Sequence, residues 1–230
     1  MDSKRALNLP ALIDFYDRMV PESKGHATAI NAVMGEEFAS ALFIDFAKRN
    51  NFSPIILSDV CTQGTKKGKR LDRWIKVIEN DKAVYFQTEI KNWSAHAFSG
   101  RKTPVTESEE ELIPYRVARW KIQFDTDANT LRQEPAKKVL IKMKAPDLNG
   151  EIRPLIIFWD SMHPEGSPEP FFSIKVDDAP FNLLWVFSMS TYVRNLINQG
   201  ISEIDVEMPT VVERLRWLET LFKKTNNPLT

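Results

Sequence analysis

The sequence predicts an α/β fold, and three observations predict it. Residues 71–91 hold two runs rich in β-branched and aromatic residues around a polar Asn80-Asp81 pair, the sequence form of a β-hairpin. Ahead of them, residues 27–49 carry apolar side chains on nearly every side at helical spacing, the pattern of a helix buried on several sides. After residue 150, short β-branched and aromatic runs alternate with helical patterns. With 230 residues, 43% of them hydrophobic and 27% charged, the chain can bury one good core with an appended subdomain.

Charge and composition narrow the function classes. The formal net charge is zero, which argues against a wholly basic nucleic-acid binder and leaves room for a local basic patch. Cys61 is the only cysteine, so the chain has no intrachain disulfide framework and no cysteine-based zinc site. No apolar run reaches membrane-spanning length, and the N-terminus lacks the apolar core of a signal peptide. The expectation is a cytoplasmic protein with no membrane partner.

Taken in order, Pro10 to Met19 forms a short helical stretch, with Pro10 suited to a first helical position. Pro21 and Gly25 then break the chain. The long helix follows from about Ala27 to Arg49. Within it Glu37 falls on the stripe Ile30, Val33/Met34, Glu37, Ala41, Ile44, with Glu36 beside it. A carboxylate on such a stripe needs a partner, because burying it unpaired is costly. Asn50 to Phe52 is a turn, and Ile55 to Leu57 a short buried strand. Residues 62–70 superficially match a phosphate-binding P-loop, but Gln63 and Arg70 stand where that motif requires glycine and Ser or Thr. The stretch reads instead as a basic loop in which Lys66, Lys67, Lys69 and Arg70 attract a phosphate backbone, or as a solvated charge run.

If Asn80 and Asp81 form the hairpin turn, Glu79 faces Lys82 and Asp72 faces Glu89. Side chains alternate along a strand. Leu71, Ile75 and Val77 therefore share a face with Val84, Phe86, Thr88 and Ile90, and Asp72, Trp74 and Lys76 share the other with Tyr85, Gln87, Glu89 and Lys91. Facing Cβ atoms lie about 5 Å apart, so Asp72 and Glu89 can hold one ion between them. Close like charges repel unless a cation or a proton compensates. A hard divalent ion, which prefers oxygen ligands, is the natural compensation. The plain alternative is a solvated hairpin edge.

Beyond the hairpin, residues 107–111 are an acidic solvated run and Tyr115 to Phe124 reads as helix. Glu134-Pro135-Ala136 opens another helix, with Ala136, Val139, Leu140 and Met143 on one side and Lys137, Lys138, Lys142 and Lys144 toward the other. That basic side suits a nucleic-acid backbone or simply solvent. Strands are expected at Arg153–Asp160, Phe171–Val176, Leu183–Phe187 and Ile204–Glu207, and a helix at Thr191–Asn198 ending at Gly200. Pro209 opens a last amphipathic helix with Val211, Leu215, Leu218, Leu221 and Phe222 on its apolar side.

Asp72 on one strand and Glu89-Ile90-Lys91 on its antiparallel neighbour resemble the signature of the PD-(D/E)XK nuclease superfamily. Leu71 stands where the family name has proline, a loose position in the superfamily. The resemblance spans about residues 27–105. It implies a restriction-endonuclease-like core, a central mixed β-sheet flanked by helices. Residues 1–26 would then be an N-terminal helical segment, and residues 106–230 an extension of the same domain or a small α/β lobe. It also implies a metal-dependent nuclease. Asp72, Glu89 and the Ile90 carbonyl ligate Mg²⁺ or Mn²⁺, Lys91 orients the attacking water, and a helix glutamate, Glu37 first and Glu36 next, completes the shell. The segment after Glu-x-Lys often adds a polar side chain, here Asn92, Ser94 or His96. Nucleic acid is the implied partner, DNA by default with RNA open. The aromatic density of the second half is core or a homodimer surface. The alternative is a non-catalytic module on the same fold that binds nucleic acid or a protein.

Overall fold

The computed structural model describes residues 3–17, 24–56, 71–91, 109–132, 134–141, 149–177 and 180–222. Strand β1 (Lys4–Asn8) leads into helix α1 (Leu9–Asp17). Asn8 Oδ1 accepts the Ala11 amide at 2.9 Å, a side-chain cap, and Pro10 falls in the first turn, where its missing N–H is harmless. The long helix, α2 (Lys24–Arg49), is broken at Gly35, where φ is 58° and ψ −156°, a conformation that glycine alone adopts without strain. The two-residue β2 (Ile55–Ile56) and the hairpin β3 (Arg73–Glu79) and β4 (Lys82–Lys91) follow.

The hairpin forms as the sequence predicts. Asn80 and Asp81 take left-handed φ angles of 50° and 61°, the turn conformation that matches strand twist. The register runs from Glu79 opposite Lys82 to Arg73 opposite Thr88. After β4 come α3 (Glu109–Gln123), the short pair β5 (Phe124–Asp125) and β6 (Thr130–Leu131), and α4 (Glu134–Lys137), which tightens into a 3₁₀ turn at Lys138–Leu140. The chain then forms β7 (Glu151–Phe158), β8 (Phe171–Lys175), β9 (Leu183–Ser188), α5 (Met189–Asn198), β10 (Glu203–Glu207) and α6 (Pro209–Leu221).

Six strands make one mixed sheet in the order β2-β3-β4-β7-β9-β8. The β4–β7 and β7–β9 pairs are parallel, and the remaining pairs are antiparallel. Parallel neighbours need a crossover, and the segment carrying α3 and α4 makes it between β4 and β7. Separately, β1 pairs antiparallel with β10.

Helices cover both faces of the sheet. On one face Phe38, Leu42 and Phe43 of α2, Leu9 and Tyr16 of α1 and Tyr192 and Val193 of α5 pack on Ile75, Val77, Phe86, Leu155 and Phe187. On the other, Trp120 of α3 with Phe124, Leu131, Val139 and Leu140 packs on Trp74, Tyr85, Ile156, Phe158 and Val186. The second hairpin face is therefore core as well, with Trp74 only 2% exposed. Leu71 departs from expectation by joining Trp74 and Tyr85 rather than Ile75. The regular ladder begins at Arg73, so strict alternation does not reach back to Leu71.

Helix α6 also departs from expectation. Val211 and Val212 are buried, but Leu215, Leu218, Leu221 and Phe222 are exposed. Hydrogen bonds to α2 engage the first part of this helix. Glu37 of α2 accepts the amides of Thr210 and Val211 at 3.1 and 2.7 Å, and Arg214 Nη1 donates to the carbonyls of Ala32 and Val33 at 3.3 and 2.6 Å. Among the described residues no helix is long and apolar enough to cross a membrane.

Candidate metal centre

The site forms where the β3 ladder starts and β4 runs out. Asp72 stands just before β3, and its amide donates to the Thr88 carbonyl at 3.2 Å. Its Oδ2 accepts the Ile90 amide at 2.7 Å, the hydrogen bond that a backbone carbonyl would take if the ladder went on. The N–H and C=O of one strand residue point to the same edge, so the Ile90 carbonyl also opens toward Asp72.

Glu89 is fully buried on the strand face it shares with Gln87. Its Oε1 accepts a hydrogen bond from Lys91 Nζ. Its Oε2 lies 2.7 Å from Lys138 Nζ, which is also 3.7 Å from Asp72 Oδ1. Among the described residues Oε2 makes no hydrogen bond of good geometry, so that close contact is an ion pair. One ammonium thus spans the two carboxylates.

The charges explain the titration of the site. Burial, and next the negative Asp72, push the Glu89 carboxyl up to about 7 against the pull of Lys138 and Lys91. Burial lowers the Lys138 ammonium, but Glu89 and Asp72 outweigh it and hold the group above its usual value.

Strand β4 also anchors Lys138. Gln87, two residues before Glu89 on the same face, is buried and donates from Nε2 to the carbonyls of Val139 and, at 2.9 Å, Ile141. Val139 and Leu140 sink into the core beneath. Just past β7, Asp160 Oδ1 accepts Arg116 Nε at 3.1 Å and Ser190 Oγ at 2.8 Å. This buried network ties α3 to the end of β7 and the start of α5.

Asp72, Glu89, Ile90 and Lys91 are thus brought together. Glu37 is not with them: the partner it needs is the N-terminus of α6, where its carboxylate satisfies two free amides. Glu37 was expected in the Asp72–Glu89 shell; its carboxylate is instead engaged by the Thr210 and Val211 amides. Glu36 stands closer, paired at 3.2 Å with Arg73, whose Nη1 donates to the Asp72 carbonyl at 3.1 Å. Lys66, Lys67, Lys69 and Arg70, and likewise Asn92, Ser94 and His96, lie outside the described residues.

Sequence reasoning missed Lys138 as a member of the site. The apolar stripe of Ala136, Val139 and Leu140 was legible and is buried, but spacing cannot tell over which strand the turn lies.

The oxygens of Asp72 and Glu89 with the Ile90 carbonyl make an all-oxygen donor set, which suits a hard divalent ion. Burial first, and Asp72 next, push the Glu89 carboxyl up to about 7, and a bound cation would draw it back down. Among the described residues no group of three or more His, Cys, Asp or Glu side chains is placed to hold a metal, so a metal here would have to rely on this pair and the backbone. Comparison with protein-family models, with curated proteins and with solved structures finds no match.

Proposed function

We propose that the protein is a metal-dependent nuclease of the PD-(D/E)XK type, hydrolysing phosphodiester bonds, with DNA as the substrate. The observation that carries this reading is the convergence of Asp72, buried Glu89 and Lys91 at the end of the hairpin, just past the last ladder pair of Arg73 and Thr88. Asp72, Glu89 and the Ile90 carbonyl would hold Mg²⁺ or Mn²⁺. When bound, such an ion makes a nucleophile of its water at neutral pH and stabilises the departing oxygen. Asp72 fixes the strand end through the Ile90 amide and so sets where that carbonyl points. Lys91 steadies Glu89 through Oε1, and its ammonium would orient the attacking water and offset charge on the phosphorane. The mixed sheet flanked by helices supports the reading as its scaffold.

Circular and linear DNA incubated with Mg²⁺ or Mn²⁺ test it, with Glu89→Ala as control. The wild type is expected to cut. Asp72→Asn, Glu89→Ala and Lys91→Ala are expected to lose activity on the order of 10² to 10⁴-fold, the scale of a positioned catalytic group. Cutting by Glu89→Ala at the wild-type rate would overturn the assignment. A second reading, a non-catalytic module on the same fold that binds nucleic acid or a protein, is favoured by one observation: Lys138 already lies against both carboxylates. That reading predicts no thermal stabilisation by divalent metal.

A further inference from the structure

The anchoring of Lys138 has a consequence for metal loading, which rests on the metal-dependent reading above. A divalent ion bound by this site takes Asp72 and Glu89 oxygens at roughly 2.1 Å. Lys138 Nζ already lies 2.7 Å from Glu89 Oε2 and 3.7 Å from Asp72 Oδ1. Both cations need the same oxygens, and two positive groups crowded there repel. We infer that Lys138 is a tethered counter-cation that competes with the divalent ion for the Asp72–Glu89 pair.

The tether is rigid and its tip is not. Gln87 clamps the backbone at Val139 and Ile141, and Val139 and Leu140 are buried. The four-carbon lysine stem, by contrast, is flexible and ends in a compact charge. The ammonium can therefore leave the carboxylates while its turn stays in place. Without metal, the two carboxylates are balanced by Lys91 and Lys138. With a divalent ion balancing the two carboxylates, Lys91 and the displaced Lys138 are both surplus positive charge, which a phosphodiester and an attacking hydroxide together neutralise.

Calorimetric titration of Mn²⁺ into the metal-free full chain tests this, together with melting temperatures recorded without metal. Lys138→Met is expected to bind Mn²⁺ on the order of tenfold more tightly than the wild type, the scale of one lost ion-pair partner. Without metal it is expected to melt lower, because Glu89 loses a counter-ion. If Lys138→Met does not fold, Lys138→Gln, which keeps a polar tip, serves for the same comparison. Equal or weaker Mn²⁺ binding by the uncharged variant would overturn this inference and leave the nuclease reading standing. Folded wild type and variant that both fail to bind Mn²⁺ would overturn the nuclease reading, and this inference with it.

Discussion

At the scale of single residues, the site turns on Glu89. Burial and the neighbouring Asp72 raise its carboxyl from 4.5 to about 7 in the metal-free protein. A carboxyl raised in the folded state favours folding when protonated. Its contribution is fully present below the unfolded-state value and is lost as pH rises through the folded-state value. The metal-free wild type should therefore lose stability relative to Glu89→Gln as pH rises from 4.5 to about 7. Thermal melts of the two proteins across that window check this, and a constant difference between them would refute it. The meeting of Asp72, Glu89 and Lys91 was legible in the sequence because a two-residue turn fixes the facing pairs of a hairpin, here as far as Arg73 opposite Thr88, one residue short of Asp72. Lys138 was not, because its place over β4 depends on a long crossover that no local pattern encodes.

At the scale of elements, α2 and α6 hold each other at the Gly35 break. The break frees the carbonyls of Ala32 and Val33, which Arg214 of α6 takes up, while Glu37 beyond the break takes up two amides at the start of α6. Replacing Glu37 with alanine should lower stability by about 0.5–2 kcal/mol, the usual range for a lost helix cap. It should leave metal-dependent DNA cleavage unchanged. Chemical denaturation measures the first effect and the cleavage assay the second; lost cleavage at unchanged stability would return Glu37 to the metal site. The stripe correctly demanded a partner for Glu37, but sequence spacing does not say which element brings one. The apolar residues late in α6 carry the same lesson. Periodicity identifies a helix and its apolar side, whereas docking depends on what stands opposite, and here only Val211 and Val212 are covered.

At the scale of the whole molecule, helices on both faces turn each strand into a core strand, which is why Trp74, Tyr85 and Gln87 are as buried as Ile75 and Phe86. Glu89 is buried for the same reason, and that burial is the first cause of its raised carboxyl. The α/β class and the sheet's strands were legible from β-branched runs and turn signals. The order of the strands across the sheet was not, since it is set by long-range pairing. The central claim is that Asp72, Glu89 and the Ile90 carbonyl hold a divalent ion, and the anomalous diffraction of Mn²⁺ in crystals of the protein tests it most directly. A peak is expected roughly 2.1 Å from those oxygens, with the Lys138 ammonium moved off Glu89. A Mn²⁺ peak elsewhere, or no peak with Lys138 still seated between the carboxylates, would contradict it.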